Sequence, residues 1–124
     1  GLYPIAEVNY RDAQLPVQID LQAFSPFVPL DVDSSSYPAT VMRFRITNTS
    51  KKKASVELAG WLENAVLNNS ENTANVTLVN RIEKPAAHQA LFCTAQTDTE
   101  SVKNQRDFGN MALLLLDAGN SAKG

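Results

Sequence analysis

Between Leu15 and Ala23 the side chains alternate: Val17, Ile19, Leu21 and Ala23 are apolar, while Gln18, Asp20 and Gln22 between them are polar. A period of two is that of a half-buried strand. Ala6, Val8 and Tyr10 alternate in the same way with Glu7 and Asn9, giving a shorter strand before it. From Thr40 the pattern returns, with Met42, Phe44 and Ile46 on one face against Val41, Arg43, Arg45 and Thr47, until Asn48-Thr49-Ser50-Lys51 supplies turn chemistry. Val76 to Ile82 predicts a further strand with Val76, Leu78 and Ile82 inward, stopped by Lys84-Pro85, and His88 to Thr94 predicts the next. Ala95 to Asn110 is polar apart from Val102 and Phe108, as a loop joining two sheets or hairpins would be. The last run, Met111 to Leu116, is apolar on both faces, which predicts a strand covered on each side or buried against a neighbouring domain, ending at Asp117-Ala118-Gly119-Asn120.

One stretch fits two periods. Ala54, Val56, Leu58, Gly60 and Leu62 match a strand, whereas Leu58, Trp61, Leu62, Ala65 and Val66 match a helix. Gly60 disfavours the helix by about 1 kcal/mol, so a strand is expected, with a helical turn near Glu63 to Asn68 as the competing form. Asn68 to Asn75 is polar and reads as a loop. Six or seven short strands without a long helical pattern predict an all-β chain, an antiparallel β-sandwich. Residues 1–124 are expected to form a single domain or part of one.

Composition narrows the function classes. A hydrophobic content of 44% with 19% charged residues suits a globular domain rather than a disordered or fibrous chain. A net charge of −2 gives no electrostatic footprint for nucleic acid or an anionic membrane. The longest apolar run, Met111–Leu116, is far short of the ~20 residues a membrane-crossing helix needs. Cys93 is the single cysteine, so no intrachain disulfide can form, and its apolar setting predicts a small buried hydrophobe. The sequons at Asn48, Asn68 and Asn75 matter only in a secretory setting, and Gly1 in place of Met suggests a chain cut from a longer one. No compartment follows from these features.

Candidate chemistry is sparse. Asp31-Val32-Asp33-Ser34-Ser35 has alternate oxygen ligands, as a calcium loop does, but Ser36 and Met42 stand where that loop needs Gly and Glu. A polar turn capping its own backbone is the expected form. Hydrolysis of a glycoside needs two carboxyl groups about 5 to 9.5 Å apart, one held protonated. Asp12, Asp31, Asp33 and Glu63 all lie in polar or turn-like contexts, so no catalytic residue is assigned. His88 has no Ser, Cys or Asp motif beside it, and no glycine-rich phosphate loop is present, so neither a cofactor nor a metal is expected. Lys51, Lys52 and Lys53 read as a solvated bend. Trp61 offers an indole face that can stack on a sugar ring, although Gly60 and Leu62 beside it favour a buried core or interface role. Phe24-Ser25-Pro26-Phe27-Val28-Pro29-Leu30 is a stiff apolar loop at a strand end, with prolines that cannot donate to a ladder. Phe24, Pro26, Phe27, Val28, Pro29 and Leu30 are therefore candidates for a docking surface.

The wording of Pro16–Leu30, with Tyr3-Pro4-Ile5-Ala6, Tyr10-Arg11-Asp12, Gly60-Trp61-Leu62-Glu63-Asn64 and Asp107-Phe108-Gly109-Asn110-Met111-Ala112, resembles the N-terminal region of glycoside hydrolase family 116. That family comprises bacterial β-glucosidases and non-lysosomal glucosylceramidases (bile acid β-glucosidases). The resemblance spans nearly the whole chain. It implies a non-catalytic β-sandwich preceding an (α/α)6-barrel that carries the catalytic carboxylates and is absent here. It also implies that later strands are missing, which would leave sheet edges open. The expected function is therefore to pack against and support a C-terminal catalytic domain. β-Glucosides would be bound only by the parent, a retaining hydrolase. Two other readings stay open: an autonomous carbohydrate-binding module, which needs an exposed aromatic platform around Trp61, and a bacterial surface adhesion or assembly sandwich, which needs a free edge strand.

Overall fold

A computed structural model describes residues 4–70, 73–84 and 88–116 of the chain. They form six strands and two single-turn helices: β1 (Ile5–Tyr10), β2 (Val17–Phe24), α1 (Val32–Ser35), β3 (Val41–Asn48), β4 (Thr77–Glu83), β5 (His88–Gln96), α2 (Glu100–Lys103) and β6 (Asn110–Leu116). The strands make two antiparallel three-stranded sheets, β1-β2-β3 and β4-β5-β6. The chain is all-β, the class expected of a sandwich fragment. It divides into two compact units, Gly1–Glu57 and Leu58–Gly124, with one sheet in each.

Register turns the alternation of the first unit into two unlike faces. Val8, Leu21 and Phe44 form one cross-strand row and Tyr10, Ile19 and Ile46 the next, with Ala6, Ala23 and Met42 beyond. This apolar face is half-buried along β2, while Val8, Tyr10, Met42, Phe44 and Ile46 on the outer strands are exposed. The opposite face carries the rows Glu7–Gln22–Arg43 and Asn9–Asp20–Arg45. β2 ends at Phe24, as the prolines that follow require. After β3, the Asn48 side chain accepts from the Ser50 N–H at 2.9 Å and donates to the Lys52 carbonyl at 2.8 Å, so Lys51–Lys53 sit on a solvated bend.

The second unit covers one face of its sheet. No strand forms over residues 54–65, contrary to the expectation from period two. That segment instead leads into the turn at 66–69, where Val66 and Leu67 are buried with Val102 of α2. Val76, Ala95, Phe108 and Met111 pack against this cluster, and Cys93, in the row Asn80–Cys93–Met111, is completely buried. Val76 packs inward as expected, and Leu78 and Ile82, opposite Ala95 and Leu91, lie on the same face as Cys93 but are exposed, while Val79 on the other face is half-buried. Leu113 to Leu116 are exposed as well, on an edge strand. Period two fixes which residues share a face but not how far along that face a cover reaches. The strand stops expected at Pro85 and at Asp117–Asn120 lie outside the described residues.

Candidate functional site

The apolar loop after β2 is built around a tight turn. The Asp31 N–H donates to the Val28 carbonyl at 3.1 Å, closing Val28-Pro29-Leu30-Asp31, with Pro29 supplying the fixed φ favoured at the second position. Leu30, at the third, sits at φ 65°, the left-handed region that a type II turn requires and glycine normally fills. Asp31 then starts α1 as its N-cap: its carboxylate accepts from the Ser34 N–H at 3.0 Å and from the Ser34 hydroxyl at 2.7 Å. The Ser35 hydroxyl ties the two halves together, accepting from the Val28 N–H at 2.9 Å and lying 2.6 Å from the Asp31 carbonyl. The loop is thus held by its own hydrogen bonds, and it presents Phe27, Val28 and a fully exposed Leu30 to solvent. Of the other candidates, Phe24 is half-buried in the row Ile5–Phe24–Val41, Pro26 is half-buried and Pro29 exposed.

This local chemistry also bears on Asp31 as a candidate acid. The Ser34 hydroxyl first, and the Ser34 N–H second, hold the Asp31 carboxyl below the usual carboxylate range, the reverse of what a general acid needs. The Asp12 carboxylate accepts from the Gln14 N–H at 2.8 Å in the turn between β1 and β2, and Asp33 lies in the first turn of α1. His88 opens β5 opposite Leu116. Among the described residues no group of three His, Cys, Asp or Glu side chains could hold a metal ion.

Trp61 departs from its expected buried role: it is 86% exposed. Its neighbour Gly60 backs onto Leu113 of β6, where an added Cβ would stand 3.1 Å from Leu113 Cδ2.

Two residues that pattern reasoning passed over hold the second unit together. Asn64 Nδ2 lies 2.9 Å from Asn80 Oδ1 and 3.0 Å from the Thr94 carbonyl, clamping the coil segment to β4 and β5. Asp107 accepts from the Asn69 N–H at 3.0 Å and the Ser70 hydroxyl at 2.5 Å, and its carbonyl accepts from the Leu67 N–H at 3.1 Å. The Ser70 hydroxyl chiefly holds the Asp107 carboxyl below its usual range. The strings Gly60–Asn64 and Asp107–Ala112 therefore meet around one cluster, as scaffold rather than as reactive groups. Asn64 and Asp107 each have a charged residue before them, Glu63 and Arg106, and an apolar one after them, Ala65 and Phe108, and nothing local reveals their distant partners.

The chain matches, over residues 1–121, the family described as beta-glucosidase 2, glycosyl-hydrolase family 116 N-term. No curated protein and no solved structure matches it. The chain belongs to the family 116 N-terminal domains.

Proposed function

We propose that this family 116 N-terminal domain is a non-catalytic module that packs against and supports the catalytic domain of a β-glucosidase-type glycoside hydrolase, using the loop Phe24–Leu30 as its docking tip. Leu30 carries the reading. A left-handed conformation costs a non-glycine residue about 1–2 kcal/mol, and exposing a leucine forgoes a further 1.5–3 kcal/mol or so of burial. Glycine would avoid both costs within the isolated chain. A leucine there is intelligible if its side chain is buried elsewhere, and the hydrogen bonds of Asp31 and Ser35 lower the entropy lost when the rigid loop docks.

The expected outcome for Leu30→Gly is a chain at least as stable as the parent sequence, by thermal unfolding, that co-purifies less well with a co-expressed catalytic domain. Unchanged co-purification overturns the docking role. Loss of several kcal/mol of stability shows instead that the loop belongs to the unit's own core.

The exposure of Trp61 favours a second reading, in which the domain adds a sugar contact to the parent's substrate site. A saturable change in Trp61 fluorescence with β-glucosides, abolished in Trp61→Ala, supports it. An unchanged spectrum at every glucoside concentration removes it.

A further inference from the structure

We propose that the polar face of the first sheet binds a small oxyanion-bearing ligand, a carboxylate, phosphate or sulfate, through Arg43 and Arg45. The two arginines stand two residues apart on β3, so both guanidiniums rise from the same face. With Asn9, Arg11, Asp20 and Gln22 they line an open groove of about 300 Å³, the small end of the range for ligand sites.

The pairing on this face is what distinguishes it from an ordinary solvated surface. Arg45 lies directly opposite Asp20 in the register, where a cross-strand ion pair would be expected. Asp20 is taken from the other side instead: Arg11 Nη2 donates to Oδ1 at 2.5 Å and Asn9 Nδ2 to the same oxygen at 2.8 Å. Arg11 is fixed in turn by the Tyr10 and Ile19 carbonyls, at 2.9 and 3.1 Å. The other acid, Glu7, accepts from Gln22 Nε2 at 3.0 Å. Both carboxylates of the groove are thus supplied with donors from β1, β2 and their connecting turn. Among the described residues neither the Arg43 nor the Arg45 guanidinium has a hydrogen bond or a salt bridge, and the pull of Arg45 on Asp20 is the last of the influences that lower that carboxyl. Two adjacent guanidiniums with unspent planar donor forks suit an oxyanion. The neighbouring amides of Asn9 and Gln22 offer oxygen acceptors for hydroxyl groups beside it.

The test is a titration of the full chain, followed by the Nε–Hε resonances of its arginines, with inorganic phosphate, sulfate and glucuronate, each at ionic strength held constant with chloride. Saturable shifts confined to Arg43, Arg45 and Arg11 are expected with at least one of the three, the tightest naming the ligand class. Arg43→Gln with Arg45→Gln should weaken that binding about tenfold or more, while Arg81→Gln, on the other sheet, leaves it unchanged. Both sites are exposed, so an unaltered backbone spectrum verifies folding. Shifts that do not saturate, or that persist in the double variant, overturn the proposal.

Discussion

The two sheets have the same size and the same antiparallel order, yet they bury their side chains very differently. Val66, Leu67, Ala90, Cys93 and Val102, the buried hydrophobic residues among those described, all belong to Leu58–Gly124. The unit Gly1–Glu57 pairs three strands in full register, and none of its described hydrophobic side chains is buried. The difference lies in the connections. In the second unit, the segment before β4 and the one between β5 and β6 fold back over the face that carries Cys93, Ala95 and Met111, and Asp107 fastens one to the other. In the first, the connection between β2 and β3 spends its hydrogen bonds on its own turn and on α1. A ladder supplies hydrogen bonds, but it is the cover that supplies hydrophobic stability. The second unit therefore carries its own core, and the first offers its apolar face and its loop tip as surface.

The sharpest way to break this comparison is to cut the cover. Leu67→Ala removes a side chain that is 3% exposed at the centre of the cluster, and both residues meet the same left-handed backbone cost at φ 63°. It should destabilise the second unit by about 2–5 kcal/mol in denaturant unfolding. Met42→Ala, the corresponding truncation on the apolar face of the first sheet, removes a side chain that is 61% exposed and should cost about 0.5 kcal/mol or less. Equal losses at the two sites would mean that the first unit has a core after all.

Acid provides a second comparison. The Asp107 carboxyl, below its ordinary value of 3.8 chiefly through the Ser70 hydroxyl, binds fewer protons folded than unfolded in the interval between the two values. Its contribution is fully present above the ordinary carboxylate value and is lost as pH falls through the lower folded one. Asp20, held down first by Arg11, and Asp31, held down by Ser34, give the first unit the same sign. Asp107→Asn should therefore flatten the acid response of the second unit alone, read as amide hydrogen exchange between about pH 5 and about pH 2. A response that flattens in both units, or in neither, contradicts the assignment of Asp107 to the second unit's lock.

Much of this was legible in the chain. Alternation located the strands, the Pro26 and Pro29 stop ended β2, and Asp31-Val32-Asp33-Ser34 foretold a turn capping itself, because each depends on neighbours within a few residues. Trp61, the segment 54–62 and the exposure of Leu78 and Ile82 were missed for one common reason. Each depends on the coil before β4 crossing the sheet, and that crossing is set by Asn64 and Asp107 reaching partners 16 to 38 residues away. That Arg43 and Arg45 make no salt bridge was hidden in the same way, since an alternating strand reads alike whether or not its charges are bridged.

Gly60 gives the smallest effect and the finest probe of the cover. Its φ lies outside the positive region, so alanine can adopt its backbone, and the lost freedom of the unfolded chain favours the variant by about 0.4–1 kcal/mol. Against this stands the approach of 3.1 Å between the new Cβ and Leu113 Cδ2. Leu113 is 37% exposed, so its side chain has room to swing outward by the few tenths of an ångström required. If the coil rests lightly on β6, Gly60→Ala leaves the second unit within about 0.5 kcal/mol of its original stability or slightly above it. If the coil is pressed onto the strand, the variant destabilises by about 1–3 kcal/mol, as overpacking does, and Leu113→Ala introduced with it restores part of the loss. Because the two residues touch, the double-mutant cycle reads their coupling directly. A coupling near zero would show that Leu113 yields freely and that Asn64 and the Val66–Leu67 turn, rather than the Gly60 contact, hold the cover in place.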